Sequence, residues 1–548
     1  MSGKHWQTVK SALPAPCVLL QLLVVVVLFL LSLLAMADET TAPARTLHRG
    51  NSAEPVTLDP HQSEDVATGN IARDLFEGLT SEARDGSITP GLAARWDISD
   101  DGRTYTFYLR ENLAWSNGEA LSTADIIYSF RRAIDPATGA PMADLLQPII
   151  NAPEIMQGQR PVDQLGIKQL DERTLVITLS TPTPWLLEVL SHPIAAPVHA
   201  KSLSEHGGKA FTPGKLISNG AYRLSAWSPY ERITLMRNKH YYANADSWFD
   251  SVVYYPIDNN NLEFNRYRAG ELDWTDTIPP NKLAMIHRDL PGQDFISPYL
   301  GTYYYGFNLT RPPFKGNPSL RRALSLAIDR NVITKKLLGN GELPAERWLP
   351  PGLAGRPDQT TTYKQDRRQQ ITEAKRLYQE AGYGPSRPLN LTLHYNSSEQ
   401  NKRIAVAISA MWKSALGIKT ELVNEEWKVF LANRKGKVVT QAYRASWIAD
   451  FNDASSFLAL FTTGHIKNDT GYVNATYDAL VNEINFSRNA DNRSKLINQA
   501  EQLLLDDQVI MPIYHYVSRH LVKSDIRGYE TNPLDHHYTK HLSRHPAD

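Results

Sequence analysis

Histidines near the C-terminus have the spacing that comes closest to a chemical site. His537, His541 and His545 are four residues apart, so a helix would carry three imidazoles on one face, and imidazole is a common metal ligand. His536 stands beside the first of them. No acidic or thiol ligand lies among these histidines, and an exposed tail that is rich in histidine shows the same pattern. We therefore predict no metal site here.

Motifs for nucleophilic or metal-dependent catalysis are absent from the sequence. It contains no G-x-S-x-G elbow, no phosphate-binding P-loop and no H-E-x-x-H pair. The single cysteine, Cys17, precedes the apolar stretch near the N-terminus, so residues 38–548 hold no thiol for nucleophilic work. Gly339-Asn-Gly341 lacks the remainder of a dinucleotide-binding fingerprint. The sequence predicts a protein that is not an enzyme and that carries no cofactor.

The N-terminal segment has the parts of a secretory signal peptide. Lys4 and Lys10 precede an apolar run over 18–34, and Ala35-Met36-Ala37 supplies the small residues that a signal peptidase reads. We predict cleavage after Ala37 and a periplasmic location. An uncleaved membrane anchor is the alternative, because the run of 17 residues reaches the lower limit for spanning a bilayer.

Length and charge limit the class of protein. The 548 residues are enough for two or three packed domains. Lys and Arg number 58, as do Asp and Glu, and the sequence has no basic stripe that would indicate a nucleic-acid partner.

Turn and capping residues mark the elements of the first half of the chain. Asp101-Gly102 predicts the turn of a β-hairpin within 96–115, because apolar and polar residues alternate after it. Ser122-x-x-Asp125 predicts the start of a helix. Further strands are predicted from β-branched residues, over 173–179, 233–236 and 251–255.

The second half alternates between helices and strands. Glycines end three predicted helices, over 319–338, 366–381 and 402–416. Strands are predicted over 389–395 and 418–423, and a helix over 491–506 precedes a strand over 509–517. This order predicts an α/β lobe with a partly parallel sheet.

Seven short stretches, taken in order, resemble the oligopeptide-binding proteins of bacterial peptide importers. They are Leu58-Asp-Pro-His61, Asp74-Leu-Phe-Glu-Gly-Leu79, Trp115-Ser-Asn-Gly118, Ser218-Asn-Gly-Ala-Tyr222, Tyr299-Leu-Gly-Thr-Tyr-Tyr-Tyr305, Trp427-Lys-Val-Phe-Leu431 and Trp447-Ile-Ala-Asp-Phe451. The ordered set covers about residues 47–540 and is closest to the oligopeptide and murein-peptide branch of extracellular solute-binding protein family 5.

The resemblance implies a fold and its partners. The expected fold is α/β, a two-lobed, three-domain periplasmic binding protein of the class II (cluster C) type, with mixed sheets and a hinge. The expected divisions are a signal peptide over 1–37, domain I over 38–75, 200–298 and 513–548, domain II over 76–199, and domain III over 299–512. The ligand is an oligopeptide, the partner is an inner-membrane ABC permease, and the protein is a monomer.

The resemblance also assigns residues to the ligand. Asp450 matches an acidic residue that pairs with the α-ammonium of the peptide, and a carboxylate in a closed cleft suits that charge-assisted hydrogen bond. Arg444 and Arg434 match arginines that receive the C-terminal carboxylates of shorter peptides. The remaining ligand-binding positions are Trp427 and Trp447, which line side-chain pockets, Tyr299, Tyr304 and Tyr516, which contact the peptide along its length, and Met142.

Two departures from the family pattern leave the ligand open. Asn401 replaces a histidine that serves longer peptides, and Met142 replaces a tyrosine. The alternatives are a murein peptide, a dipeptide, a heme or a nickel complex on the same fold, or a peptide-processing enzyme. The carboxylate at 450 favours an amine-bearing ligand.

Overall fold

The computed structural model describes residues 1–3, 45–279, 282–356, 366–465, 467–487 and 489–545. Apart from its first three residues, the predicted signal peptide lies outside these ranges, as do its cleavage site after Ala37 and the start of predicted domain I. The chain divides into two compact units, Met1–Arg45 and Thr46–Asp548. No helix within the described ranges has the length and apolar character that a membrane span requires.

The structure contains the predicted helix start at Ser122 and two of the predicted glycine helix ends, together with helices that were not predicted. The bounds of the α-helices are Val66–Leu75, Thr123–Ile134, Ala152–Met156, Leu186–Val189, Ala200–His206, Asn260–Arg268, Leu283–Asp289, Pro318–Ala327, Arg367–Glu380, Glu399–Leu416, Trp427–Gly436, Ser455–Leu458, Ala475–Phe486 and Ala490–Asp506. The predicted helix start at Ser122 is confirmed, because its backbone N–H donates to Asp125 Oδ2 at 2.9 Å. Gly339 and Gly417 adopt the left-handed conformation at helix ends, as predicted.

The first sheet is mixed, and residues near the C-terminus contact the elements around it. Its strand order is Thr46–Gly50, Ser251–Tyr255, Arg232–Arg237 and Tyr222–Ser228, and only the first two strands run parallel. The buried Asp74 accepts a hydrogen bond from the backbone N–H of Thr539 at 2.9 Å. Arg49 Nη1 donates to the carbonyl of His537 at 3.1 Å. Residues 47–76 and 522–542 are therefore packed into one core.

The second sheet is antiparallel and contains the predicted hairpin. Its strand order is Ala93–Ile98, Thr104–Leu109, Thr174–Thr178 and Ile167–Asp171, and a separate pair is Thr80–Glu82 with Ile88–Pro90. The Gly102 N–H donates to the Ser99 carbonyl at 2.8 Å, which closes the predicted turn. The helix Thr123–Ile134 packs Ile126 and Phe130 into the same core as this sheet.

The third sheet is mixed and lies between two layers of helices. Its strand order is Leu343–Pro344, Ile510–Leu521, Asp294–Phe307, Ala442–Ile448, Asn390–Asn396 and Lys419–Glu425, and a short C-terminal pair is Ile526–Arg527 with Ser543–Arg544. Asn390–Asn396 runs parallel to both of its neighbours, which confirms the predicted partly parallel sheet. Tyr303 and Tyr305 pack on one face, and Tyr304 packs on the other.

Separate hydrophobic clusters support the predicted domain bounds, which stay a prediction. One cluster combines residues of 47–76, 196–274 and 522–542 around the first sheet. A second takes all but one of its buried members from 79–195. Two more, on opposite faces of the third sheet, use residues of 300–534.

The predicted single helix over 319–338 is wrong, because the chain leaves the helix at Ile328. Pro318–Ala327 is α-helical, and a separate π-helix runs over Val332–Leu338. Between them, Arg330 is buried, and its Nε donates to the carbonyls of Ala345 and Pro512, each at 2.7 Å. The break places this guanidinium among distant carbonyls, which helical periodicity does not reveal.

The C-terminal histidines form neither a helix face nor an exposed tail. His536 Nδ1 lies 2.9 Å from Glu82 Oε2, and His541 Nε2 lies 3.0 Å from the Glu82 carbonyl. His537 is buried beside Asp535. The predictions of one helix face and of an exposed tail are therefore both wrong for His536, His537 and His541, because His536 and His541 contact Glu82, which is distant in sequence, and His537 contacts Asp535.

Candidate functional site

The candidate site lies where two neighbouring strands of the third sheet face residues 63–73, 142, 192–193 and 534–536. Ala442–Ile448 runs antiparallel to Asp294–Phe307, with Trp447 opposite Thr302. Asp450 lies just beyond the end of the strand Ala442–Ile448. The sheet therefore fixes the backbone from which Trp447 and Asp450 project.

An irregular segment of the sheet positions two predicted tyrosines. The register between the strand that carries Tyr299 and the strand that carries Tyr516 shifts between Pro298 and Thr302. A Cβ atom on Gly301 would lie 2.8 Å from Tyr516 Cδ2. Glycine at this position therefore allows the ring of Tyr516 to lie against the backbone.

A first cavity, the Asp450 cavity, brings four predicted site residues together. It has a volume of about 300 Å³ and is lined by Met142, Tyr299, Trp447 and Asp450. Its walls come from all three predicted domains, through residues 63–73, 142, 192–193, 299, 446–450 and 534–536. A cavity between domains is the usual place for a small ligand.

A second cavity, the Arg434 cavity, adjoins the first. It has a volume of about 330 Å³ and includes Tyr304, Arg434 and Trp447 in its lining. Ser446 and Trp447 line both cavities. One extended ligand can therefore reach from the first cavity to the second along this strand.

The carboxylate of Asp450 is available to a ligand. It is half-buried, and no hydrogen bond or ion pair within the described ranges reaches its oxygens. Burial raises the pKa of Asp450 to about 6, Lys467 opposes this shift, and Asp144 adds to it. A carboxylate that is costly to ionise and lacks a partner is suited to receive a cation.

Lys467 is a functional candidate that the sequence did not reveal. Its Nζ lies 3.7 Å from Asp144 Oδ2 and 4.8 Å from the centre of the Trp447 ring. Asp144 belongs to predicted domain II and Lys467 to predicted domain III. The ion pair therefore connects the two predicted lobes next to Asp450, and no motif signalled it.

The two predicted arginines differ in how far they are neutralised. Arg434 Nε lies 2.7 Å from Asp469 Oδ2. Arg444 has no carboxylate partner in the described part of the chain; its contacts are the Tyr516 hydroxyl and Asn396 Oδ1, each at 3.5 Å, and the face of the Tyr303 ring. Arg444 therefore retains the charge needed to bind a carboxylate.

Three predicted residues line neither cavity. Arg444 and Tyr516 contact each other beside the cavities, at 3.5 Å. Trp427 is 47% exposed at the start of its helix, and its ring stacks on Phe430 at a distance of 6.1 Å. Asn401, at the position of the missing histidine, is buried and accepts a hydrogen bond from the Tyr303 hydroxyl at 3.1 Å.

An aromatic stack joins the predicted lobes at the edge of the site. The rings of Trp185 and Phe451 lie 4.4 Å apart and nearly parallel. Phe451 is the only buried member of its hydrophobic cluster that lies outside 79–195. Phe451 is the last residue of the matched stretch Trp447–Phe451. Its partner Trp185 is distant in sequence and lies in no matched stretch, so the sequence did not predict the contact.

One group of side chains within the described ranges has the arrangement of metal ligands. His520 Nε2 lies 2.9 Å from both oxygens of Asp535, and His537 Nε2 lies 3.0 Å from one of them. His520 Nδ1 faces the carbonyl of Thr275, so both of its nitrogens face acceptors. Burial opposes the positive charge, but Asp535 raises the pKa of His520 above its ordinary value. We interpret the group as a buried ion pair.

Comparisons with known proteins agree with this geometry. The profile of the bacterial extracellular solute-binding proteins, family 5 (middle part), matches residues 87–469. The periplasmic oligopeptide-binding protein OppA of Escherichia coli K12 is 38% identical over 511 residues, which cover 92% of this chain and 94% of OppA.

Solved structures show the same fold. The murein tripeptide-binding protein MppA of Escherichia coli superposes with a TM-score of 0.81 at 36% identity, and the match covers 92% of this chain and 99% of MppA. Haemophilus influenzae OppA in complex with the peptide RPPGFSPFR gives 0.79 at 34% identity, with 92% and 99% covered. These matches confirm the fold class predicted from the sequence. The chain belongs to family 5 of the bacterial extracellular solute-binding proteins.

Proposed function

We propose that this protein captures oligopeptides in the periplasm, between two lobes, and delivers them to an ABC-type permease. The observation that carries the proposal is the carboxylate of Asp450, which has no partner in the described structure and lines a cavity that adjoins the Arg434 cavity. A peptide in zwitterionic form presents an ammonium and a carboxylate at its two ends, and this pair of cavities offers groups of the opposite charge. The relatives are named as oligopeptide-binding and murein peptide-binding proteins.

The remaining parts of the proposal follow from the family. The protein is a monomer, it is secreted with cleavage after Ala37, and it performs no chemistry on its ligand. The relatives are binding proteins, and the sequence holds none of the catalytic motifs considered above. Closure of the lobes is driven by the difference in ligand affinity between the closed and open forms.

A murein peptide is a second candidate, favoured by the charge of the Arg434 cavity. Arg434, Lys435 and Lys467 line it, against the single carboxylate of Asp469. An additional carboxylate on the ligand would be accepted there. Murein tripeptide therefore belongs in any panel of test ligands.

Mass spectrometry under native conditions tests the proposal. We expect the purified protein to carry a mixture of short peptides. Calorimetry with peptides of two to five residues should then show one-to-one binding, and N-acetylation of the same peptides should weaken it by about tenfold or more, because the ammonium is lost. Equal affinity for the acetylated forms, or the absence of binding by any peptide in the panel, would contradict the proposal.

Peptide affinity should fall as the pH is lowered through about 6. The pKa of Asp450 is about 6 in the unliganded protein, and only the ionised form attracts the ammonium. Between pH 7 and pH 5 the affinity should decrease by about tenfold, and binding should release a proton near pH 6. The α-ammonium stays protonated over this range. Calorimetry in buffers of different ionisation enthalpy measures the proton release.

Other groups that line the Asp450 cavity should not produce this step. Burial lowers the pKa of His192 to about 3, so this imidazole stays neutral between pH 5 and 7. Burial also lowers the pKa of His536, which disfavours its charged form. The variant Asp450→Asn serves as the control, since its remaining affinity should not change with pH. A step of the same size in that variant would assign the pH dependence to another group.

A further inference from the structure

A third cavity, the basic cavity, lies apart from the candidate peptide site. Its volume of about 700 Å³ exceeds that of either cavity above, and it shares no lining residue with them. Its walls come from residues 116–119, 199–217 and 223–240. The backbone N–H of Ser116 donates to the carbonyl of Ser218 at 2.8 Å, so the cavity spans the junction between predicted domains II and I.

Positive charge dominates this lining. Five lysine and arginine residues line the cavity, against two glutamates. They are Lys201, Lys215, Arg223, Arg237 and Lys239, against Glu119 and Glu205. The chain as a whole has equal numbers of acidic and basic residues, so this charge is a local concentration.

Most of these cations lack an anionic partner within the protein. Arg237 pairs with Asp250 at 2.9 Å. In the described part of the chain, no hydrogen bond or ion pair reaches the side chains of the other four, Lys201, Lys215, Arg223 and Lys239. Like charges gathered in one concave surface repel one another, and a bound anion would relieve that repulsion.

One of the two glutamates is already engaged. His199 Nδ1 accepts a hydrogen bond from the backbone N–H of Ser202 at 3.2 Å, so in neutral His199 the proton resides on Nε2. That nitrogen lies 2.7 Å from Glu119 Oε2, to which it donates. Glu119 therefore serves to hold the imidazole in the wall, and the exposed Glu205 is the only other carboxylate of the lining.

We propose that the basic cavity is a second binding site, which takes a compact anion of the phosphate type. Four cations without partners, two imidazoles (His206 and His240) and the hydroxyls of Ser116 and Ser202 surround a volume in the range of small-molecule sites. Ammonium and guanidinium groups bind phosphate oxygens through charge-assisted hydrogen bonds. A free phosphate ester and the headgroup of an anionic phospholipid share this chemistry. The site acts independently of the peptide cavities and would join the two predicted domains that form its walls.

Calorimetry with inorganic pyrophosphate at low ionic strength tests the free anion. We expect saturable binding by the protein comprising residues 38–548, weakened by about tenfold or more in the double variant Arg223→Gln with Lys239→Gln. The matched control is Lys168→Gln with Lys419→Gln, which removes two exposed charges that do not line the cavity. The control should retain pyrophosphate affinity within about twofold, and both variants should retain peptide affinity.

Sedimentation with vesicles tests the headgroup. Binding to vesicles of phosphatidylglycerol and phosphatidylcholine, but not to phosphatidylcholine alone, supports a lipid source if the cavity variant loses it and the control variant keeps it. Binding of pyrophosphate without vesicle binding supports a free anion. The proposal is overturned if neither probe binds, or if the cavity and control variants weaken binding equally. Because peptide affinity is measured separately, failure of this site leaves the proposed peptide function unaffected.

Discussion

Replacing Asp450 by asparagine is expected to weaken peptide binding by at least about tenfold, the largest effect on function that we predict. The amide keeps the shape of the side chain but removes the charge that receives the α-ammonium. Calorimetry on the purified variant measures the change. The same substitution should not lower stability, because the raised pKa of Asp450 means that stability falls as the pH rises from 3.8 to about 6.

Glu64→Gln is the matched control for this substitution. Glu64 is an exposed carboxylate that lines the same cavity, so its loss tests whether any negative charge there suffices. We expect its effect on peptide affinity to stay within about threefold, because exposed charges are screened by solvent. If Glu64→Gln and Asp450→Asn weaken binding equally, the ammonium is not held by Asp450 in particular.

Breaking the buried ion pair between Arg347 and Glu501 is expected to have the largest effect on stability. Glu501 is fully buried; its Oε2 accepts from Arg347 Nε at 2.8 Å, and its Oε1 accepts from the backbone N–H of Leu349 at 2.9 Å. Arg347→Met leaves this carboxylate without its cation, which should lower the free energy of unfolding by about 3–5 kcal/mol. Unfolding of the ligand-free protein in urea measures it.

An exposed ion pair provides the comparison for that experiment. The side chains of Arg173 and Glu111 are 56% and 76% exposed, and Arg173→Met should cost about 0–1 kcal/mol. Equal unfolding midpoints for the two variants would contradict the importance assigned to the buried pair. Trp348, next to Arg347, packs against the site residue Tyr304 at 5.0 Å, so the buried pair also supports a wall of the Arg434 cavity.

Local signals predicted those elements whose physical cause is local. The Asp101-Gly102 turn and the cap at Ser122 act within a few residues, and the sequence alone places both. The break at Ile328 arises from carbonyls that Arg330 finds near residue 512. The position of His536 among the C-terminal histidines depends on its contact with Glu82. Such long-range partners are invisible to periodicity, so these two predictions were wrong.

Only those site residues that lie in or near the seven stretches resembling the family could be predicted from the sequence. Asp450, Trp447 and Tyr299 lie in matched stretches, and the structure places them in one cavity. Lys467 lies outside those stretches, and its relation to Asp144 depends on how the predicted lobes pack. The contact between Trp185 and Phe451 was likewise beyond sequence reasoning, because it joins residues from different clusters.

The contacts of residues 537–539 with the core around the first sheet bear on when the protein can fold. Arg49 and Asp74 find their partners at His537 and Thr539, which lie 488 and 465 residues later in the chain. The strand Thr46–Gly50 must also wait for Ser251–Tyr255. Residues 46–74 therefore cannot reach their final state until these later residues have been synthesised, whereas many domains fold in order from the N-terminus. Such a delay would suit the secretion proposed above, because passage through a narrow translocation channel requires an unfolded polypeptide.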